Sequence, residues 1–131
     1  MDLRAYFFTN YYLSQIQRGI QSGHCIAELF LKYSKRSKNG EMLYEWAKNH
    51  KTMIVLNGGN ARAISSLSLF CNNYIDLPGV VFNEDEDSLG RAITCFGIVV
   101  PQRIYDCPDP ETMLSANEKH FYDAMKGCSL A

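Results

Sequence analysis

The chain has 131 residues, of which 47% are hydrophobic and 12% aromatic, enough apolar material for one domain with its own core and too much for a disordered segment. Its formal net charge is −1 and its isoelectric point about 6.3, so no global basic field draws in DNA, and any contact with a nucleic acid has to rest on a local patch. No apolar run approaches the roughly 20 residues that cross a bilayer, which excludes a spanning membrane protein. Five cysteines (Cys25, Cys71, Cys95, Cys107 and Cys128) are odd in number and form no CxxC pair. That usage suits reduced thiols and a cytoplasmic address, and the short apolar run after Arg4 does not read as a signal peptide.

The first predicted element is a strand over Arg4 to Thr9 (RAYFFT), short and aromatic. From Leu13 onward apolar and small residues recur at Leu13, Ile16, Ile20, Gly23, Ala27, Phe30 and Leu31, a helical spacing, while Gln17, Gln21, His24 and Glu28 share another face. Gly19 and Gly23 each cost about 1 kcal/mol against alanine inside a helix. Their spacing predicts the close approach of another backbone or a ligand, or for Gly23 tight packing of the helix on a sheet. The helix is predicted to end near Tyr33, followed by a surface loop from Ser34 to Gly40 that closes on the turn pair Asn39-Gly40. Glu41 to His50 reads as a short helix through Met42, Leu43, Trp46 and Ala47. Lys51 to Asn57 (KTMIVLN) reads as a strand, turned by Gly58-Gly59-Asn60 into a helix with Ala63, Ile64, Leu67 and Phe70 inward. This turn is either a plain connection or an anion cradle at a helix N-terminus, without a Walker lysine.

Pro78 to Asn83 and Ala92 to Pro101 read as two strands of a β-hairpin, joined by the acidic stretch Glu84-Asp85-Glu86-Asp87. After Pro108-Asp109-Pro110 a last helix carries Met113, Leu114, Phe121, Ala124 and Met125, starting at Asp109 or Pro110. The sum is one α/β domain over residues 1–131, a four-stranded mixed sheet flanked by helices. Its best candidate for a ligand site is Gln17 to His24, where amides, a guanidinium and an imidazole gather on the first turns of a helix.

This order of elements resembles the type II peptidyl-tRNA hydrolases, the archaeal and eukaryotic kind, over residues 4–106, with an extra C-terminal helix at 109–126. Gln21 and His24 match that family's glutamine and histidine in spacing. The Trp46 helix with the Lys51 to Leu56 strand resembles the family's Trp-containing helix and next strand, and the Thr94 to Pro101 strand ends in a proline as theirs does. The family's lysine falls on Gln17, with Arg18 beside it. Its Asp-Ala-Gly-x-Thr turn falls on Asn83 to Asp87, without the Ala-Gly pair or the threonine, so the resemblance leaves Asp85 or Asp87 as the carboxylate and Thr94 as the hydroxyl.

What the resemblance implies is hydrolysis of an ester between a peptide and a tRNA ribose, with no cofactor and no metal. His24 is then the base or orienter, histidine being the side chain whose ordinary titration lies near neutrality. Gln21 or backbone N–H groups donate to the oxyanion, and Gln17, Arg18, Lys35 and Arg36 contact the ligand, with Lys32 and Lys38 as further cations. Each residue also has a structural reading: His24 as a hydrogen-bonding helix residue, Lys35 and Arg36 as a solvated loop, and the acidic run as a hairpin tip that blunts a sheet edge and repels RNA. Two further readings stand beside the hydrolase. One is a non-catalytic protein that sequesters a small nucleotide-like ligand, of the kind a virus encodes as a counter-defence. The other is a homodimer or higher homo-oligomer built on Tyr6, Tyr11, Tyr12, Tyr33 and Tyr44.

Overall fold

A computed structural model describes residues 2–84 and 93–131. Strand β1 (Leu3–Asn10) is buried along nearly its whole length because it runs through the middle of a four-stranded sheet. Strand β2 (Thr52–Gly59) pairs with it in parallel and β4 (Ile93–Pro101) antiparallel, and β3 (Gly79–Asn83) lies antiparallel on β4, giving the order β2-β1-β4-β3. A strand covered on both faces reads as a continuous apolar run rather than an alternation, which is how RAYFFT reads. The single α/β domain with a mixed sheet matches the expectation from sequence, and the antiparallel β3–β4 pair is the predicted one.

The parallel β1–β2 pair requires a crossover, supplied by α1 (Gln15–Lys32), α2 (Lys38–Glu45) and a π-helical turn at Trp46–His50. These cover one face of the sheet, where Ala5, Phe7, Cys95 and Val99 pack on Cys25, Leu29, Leu43 and Trp46. Helix α3 (Ala61–Tyr74) covers the other face, where Tyr6, Phe8, Phe96 and Ile98 pack on Ile64 and Cys71. The alternation along β1 thus divides its side chains between two core layers. The second layer is completed by Phe121 and Met125. Both belong to the C-terminal helix, which is therefore part of the core rather than an appendage.

Three expectations about local structure need correction. Asn39-Gly40 is not a loop-closing turn but lies in the first turn of α2, because Ser37 caps that helix and its Oγ accepts a bond from the Gly40 N–H at 3.0 Å. Gly58 and Gly59 continue β2 instead of forming an open cradle. A Cβ at Gly58 would lie 2.9 Å from Phe8 Cβ, Gly59 has φ +88°, and Asn60 caps α3 by accepting from the Ala63 N–H at 2.9 Å. These glycines serve close packing and a left-handed backbone. The last predicted helix is two, α5 (Pro110–Met113) and α6 (Ala116–Lys126), and they are preceded by a short helix absent from the sequence reading, α4 (Gln102–Tyr105). The break before α6 comes from Ser115 and Glu118, which form a capping box and restart the chain as a new helix.

Gly19 and Gly23 show no close approach: a Cβ built at either meets nothing within 4 Å. Alanine has the higher helix propensity, so Gly23→Ala is expected to stabilise the protein by about 1 kcal/mol, read as a rise in Tm. The outer edge of β2 is covered in part by the C-terminal residues, where Asn57 N–H donates to Ser129 O at 2.9 Å and Ala131 N–H to Val55 O at 3.0 Å. Pairing of this kind removes exposed backbone groups from a sheet edge. Among the described residues no helix is long and apolar enough to cross a membrane.

At the opposite end of β1, Asp2 accepts hydrogen bonds from Tyr105 Oη at 2.5 Å and His50 Nδ1 at 3.2 Å. The Tyr105 bond above all holds the Asp2 carboxyl below its ordinary range, and burial pushes the Tyr105 phenol up to about 12. The ion pairs of Lys38 with Asp76 and of Arg103 with Glu118 lower those two carboxyls as well. A carboxyl whose folded pKa is depressed contributes stability above its unfolded pKa and loses it as the pH falls through the folded value. Acid unfolding is therefore expected below about pH 4, and Asp2→Asn is expected to flatten that limb of the pH–stability profile, followed by circular dichroism.

Candidate functional site

The site is built on the first three turns of α1. Ser14 caps the helix in a reciprocal box: its Oγ accepts from the Gln17 N–H at 3.2 Å, and its own N–H donates to Gln17 Oε1 at 3.0 Å. The Gln17 side chain is thereby bonded into the end of its own helix. Arg18 turns back under the β1–α1 connection, where Nε donates to Leu13 O at 3.2 Å and an Nη to Tyr11 O at 2.9 Å. Both residues expected to face a ligand are thus engaged in shaping the entry to the helix. The Ser14-x-x-Gln17 spacing is itself a capping signature, the sequence signal that assigns Gln17 this role.

Gln21, one turn further, is buried and joins two distant parts of the chain. Its Nε2 donates to Glu84 Oε2 at 2.8 Å, and its Oε1 accepts from Thr94 Oγ1 at 2.8 Å. Thr94 also lies 3.3 Å from Phe82 O. A register shift explains how Thr94 reaches α1: Phe82 pairs with Cys95 but Asn83 with Ile93, leaving Thr94 as the extra residue of a β-bulge. Plain alternation would send Thr94 to the α3 side with Phe96 and Ile98. The bulge turns its hydroxyl toward α1, a common use of such irregularities.

His24 follows on the same helix face, exposed, with its ring stacked on Phe82 at 4.6 Å between centroids and 10° between planes. Among the described residues no carboxylate bonds to it. Beside the cluster Asn10 ends β1, fully buried. Its Nδ2 donates to Ile93 O at 3.0 Å, while its Oδ1 has no partner. The structure therefore brings Gln21, His24 and Thr94 together. Asp85 and Asp87 lie outside the described residues, and the carboxylate seen on Gln21 is that of Glu84. Lys35 and Arg36 are exposed beyond the far end of α1, roughly 20 Å along the helix axis from Gln21 at 1.5 Å per residue, so they do not belong to this cluster. Lys35 Nζ instead lies 5.5 Å from the centroid of the Tyr44 ring.

Glu84 and Asn10 are the residues that sequence reasoning missed. Glu84 opens the acidic run Glu84-Asp85-Glu86-Asp87, but choosing among its carboxylates requires knowing where β3 ends. For Asn10 the signal was a polar residue closing an apolar strand. Burial pushes the Cys95 thiol well above its ordinary range and that of Cys71 up to about 12, so neither of these two is an activated nucleophile. Among the described residues no group of three or more His, Cys, Asp or Glu side chains could hold a metal ion.

The chemistry available is that of the His24 imidazole on α1 and of a carboxylate and a hydroxyl, Glu84 and Thr94, brought to the same helix by Gln21. The amide of Gln21 is fixed at both ends, so it holds Glu84 and Thr94 in place as a rigid spacer. Glu84 keeps acceptor capacity on its second oxygen, and His24 has an accessible ring for proton transfer. No family model matches this sequence, and no curated protein matches it.

Proposed function

We propose that this chain is an ester hydrolase of the peptidyl-tRNA type with an altered active site, built on a type II peptidyl-tRNA hydrolase-like fold and acting on a tRNA-linked or small nucleotide-like ester. The observation that carries the reading is the convergence of Glu84 and Thr94 on Gln21, one helical turn from His24. A carboxylate and a hydroxyl from the β3–β4 region beside that glutamine are what the resemblance requires, with Glu84 in the place of Asp85 or Asp87. In this reading His24 takes a proton from water as the water oxygen bonds to the ester carbonyl. The ester C–O bond then breaks, and the proton passes to the departing ribose oxygen. The five free cysteines suit a reducing compartment such as the cytoplasm.

Purified protein is expected to release peptide from peptidyl-tRNA, and His24→Ala to slow that release by about 100-fold or more. Equal turnover in the two proteins would overturn the role given to His24. One observation favours the second reading, sequestration without hydrolysis: Gln17, which stands where the resemblance places a lysine, and the neighbouring Arg18 are tied into the helix entry, so neither side chain is free to take that lysine's part in a reaction. In that case a small nucleotide copurifies and is recovered intact on denaturation. Self-association would draw on Tyr11 and Tyr12, which are 58% and 47% exposed, and sedimentation velocity would detect it.

A further inference from the structure

The side of α1 that faces away from the sheet is apolar along nearly its whole length. The helix packs on the sheet through Cys25 and Leu29, whereas Ile16, Ile20, Gly23, Ala27 and Leu31 are exposed. At 3.6 residues per turn these five fall within an arc of about 80° and run about 22 Å along the helix axis. They belong to the apolar spacing read in the sequence, so that spacing marks a second face of α1 besides the one on the core. Ile16, Ile20 and Leu31 are 78%, 52% and 80% exposed. Single exposed apolar residues are ordinary on a protein surface, but a continuous stripe of them marks an interaction site. No charged residue of α1 falls within the arc, and Gln17 and His24 border it.

The stripe fits a second copy of itself. When two α1 helices run antiparallel about a two-fold axis beside Gly23, Ile16 faces Leu31 of the partner subunit and Ile20 faces Ala27 of the partner subunit, a large side chain against a small one. The small residues at the centre let the two backbones approach. The ends match as well. Tyr11 and Tyr12, an edge-to-face pair with centroids 6.1 Å apart, stand exposed before the first turn, and Lys35 and Arg36 stand exposed after the last. Antiparallel packing carries each tyrosine pair toward the other copy's cations, where cation–π attraction is favourable, and it opposes the two helix dipoles. Parallel packing would set all four cations side by side. The stripe and the two tyrosines leave roughly 700 Å² uncovered per copy, close to the about 800 Å² that each partner buries in a standard interface.

We propose that this chain forms a two-fold homodimer by antiparallel pairing of the outer face of α1. The pairing gives the exposed tyrosines a defined partner and is independent of ester hydrolysis. Sedimentation equilibrium of the full chain tests it: the wild-type protein is expected to be dimeric at about 100 µM. Ile16→Glu and Leu31→Lys each place a charge in the apolar seam and are each expected to weaken the dimer by about 100-fold. Both positions are exposed in the single chain, and each new charge suits the dipole at its end of the helix, so circular dichroism is expected to show an unchanged fold. In an equimolar mixture of the two variants, antiparallel packing sets the new acid of one chain against the new base of the other. Association of the mixture is therefore expected to recover to within about tenfold of wild type, whereas parallel packing gives no recovery. A wild-type chain that stays monomeric at about 100 µM, which would leave this face to a different partner, would overturn the proposal. So would a dimer that both variants leave intact, or a mixture that stays monomeric.

Discussion

Gly40→Ala is expected to destabilise the protein by about 3 kcal/mol, a large part of the 5–15 kcal/mol that holds a domain of this size together. The added Cβ would lie 1.6 Å from Ser34 O and 2.6 Å from Ser34 C. Those are backbone atoms, so the contact cannot be relieved by rotating a side chain. The turn that would have to move is held by Ser37, whose N–H and Oγ both donate to Ser34 O, at 3.0 and 2.7 Å. Displacing it would also loosen the Ser37 cap of α2, worth about 1 kcal/mol. Helix α2 delivers Leu43, and the turn after it Trp46, into the core layer under α1, so the strain would spread inward. Urea denaturation would measure the change in midpoint. Gly23→Ala provides the contrast, because the same substitution in open space is expected to have the opposite sign. A neutral result at Gly40 would mean that the Ser34 turn adapts without loss.

Gln21→Leu is the second large effect, and it acts on stability and on the site together. The substitution keeps much of the volume of the side chain but removes both of its hydrogen bonds. The bond to the Glu84 carboxylate is charge-assisted and contributes roughly 1.5–3 kcal/mol. Part of that returns because Glu84 is only half-buried and regains water. Thr94 keeps Phe82 O at 3.3 Å, so its buried hydroxyl is not left wholly unpaired. A net loss of about 2 kcal/mol is expected in urea. The effect on activity is expected to be larger than stability alone would give, because Glu84 and Thr94 lose the spacer that fixes them: peptide release should fall by about 100-fold under conditions where the variant is fully folded. Wild-type turnover in a folded Gln21→Leu protein would show that the Glu84–Gln21–Thr94 chain is structural only.

Much of the fold was legible in the sequence because its elements are locally coded. The apolar run of β1, the helical spacing from Leu13 to Leu31 and the β-branched run of β2 each depend on neighbours two to four residues away. Errors fell where a single polar residue decides a boundary. Ser37 starts α2 inside what reads as a basic loop, and Ser115 divides what reads as one helix. The glycines at 58 and 59 look like a cradle in one dimension. The packing of Gly58 against Phe8 and Ile64 is visible only when β2 lies beside β1 and under α3.

The candidate site divides along the same line. Its helix face could be read directly, since Gln21 and His24 are three residues apart on one helix and the spacing alone places them together. The partners of that face could not. Gln21 meets Glu84 across 63 residues and Thr94 across 73, and Thr94 points to α1 only because one extra residue in β4 reverses its side. Sequence by itself determined the order of the four strands and of the longer helices between them, the apolar faces that close the core, and the glutamine and histidine of α1. Tertiary structure decided which carboxylate and hydroxyl meet them, and that Gln17 and Arg18 are held by the helix entry. The physical reason is that periodicity is a property of neighbouring residues, whereas a buried hydrogen bond depends on strand register, and one inserted residue changes which side chains face each other.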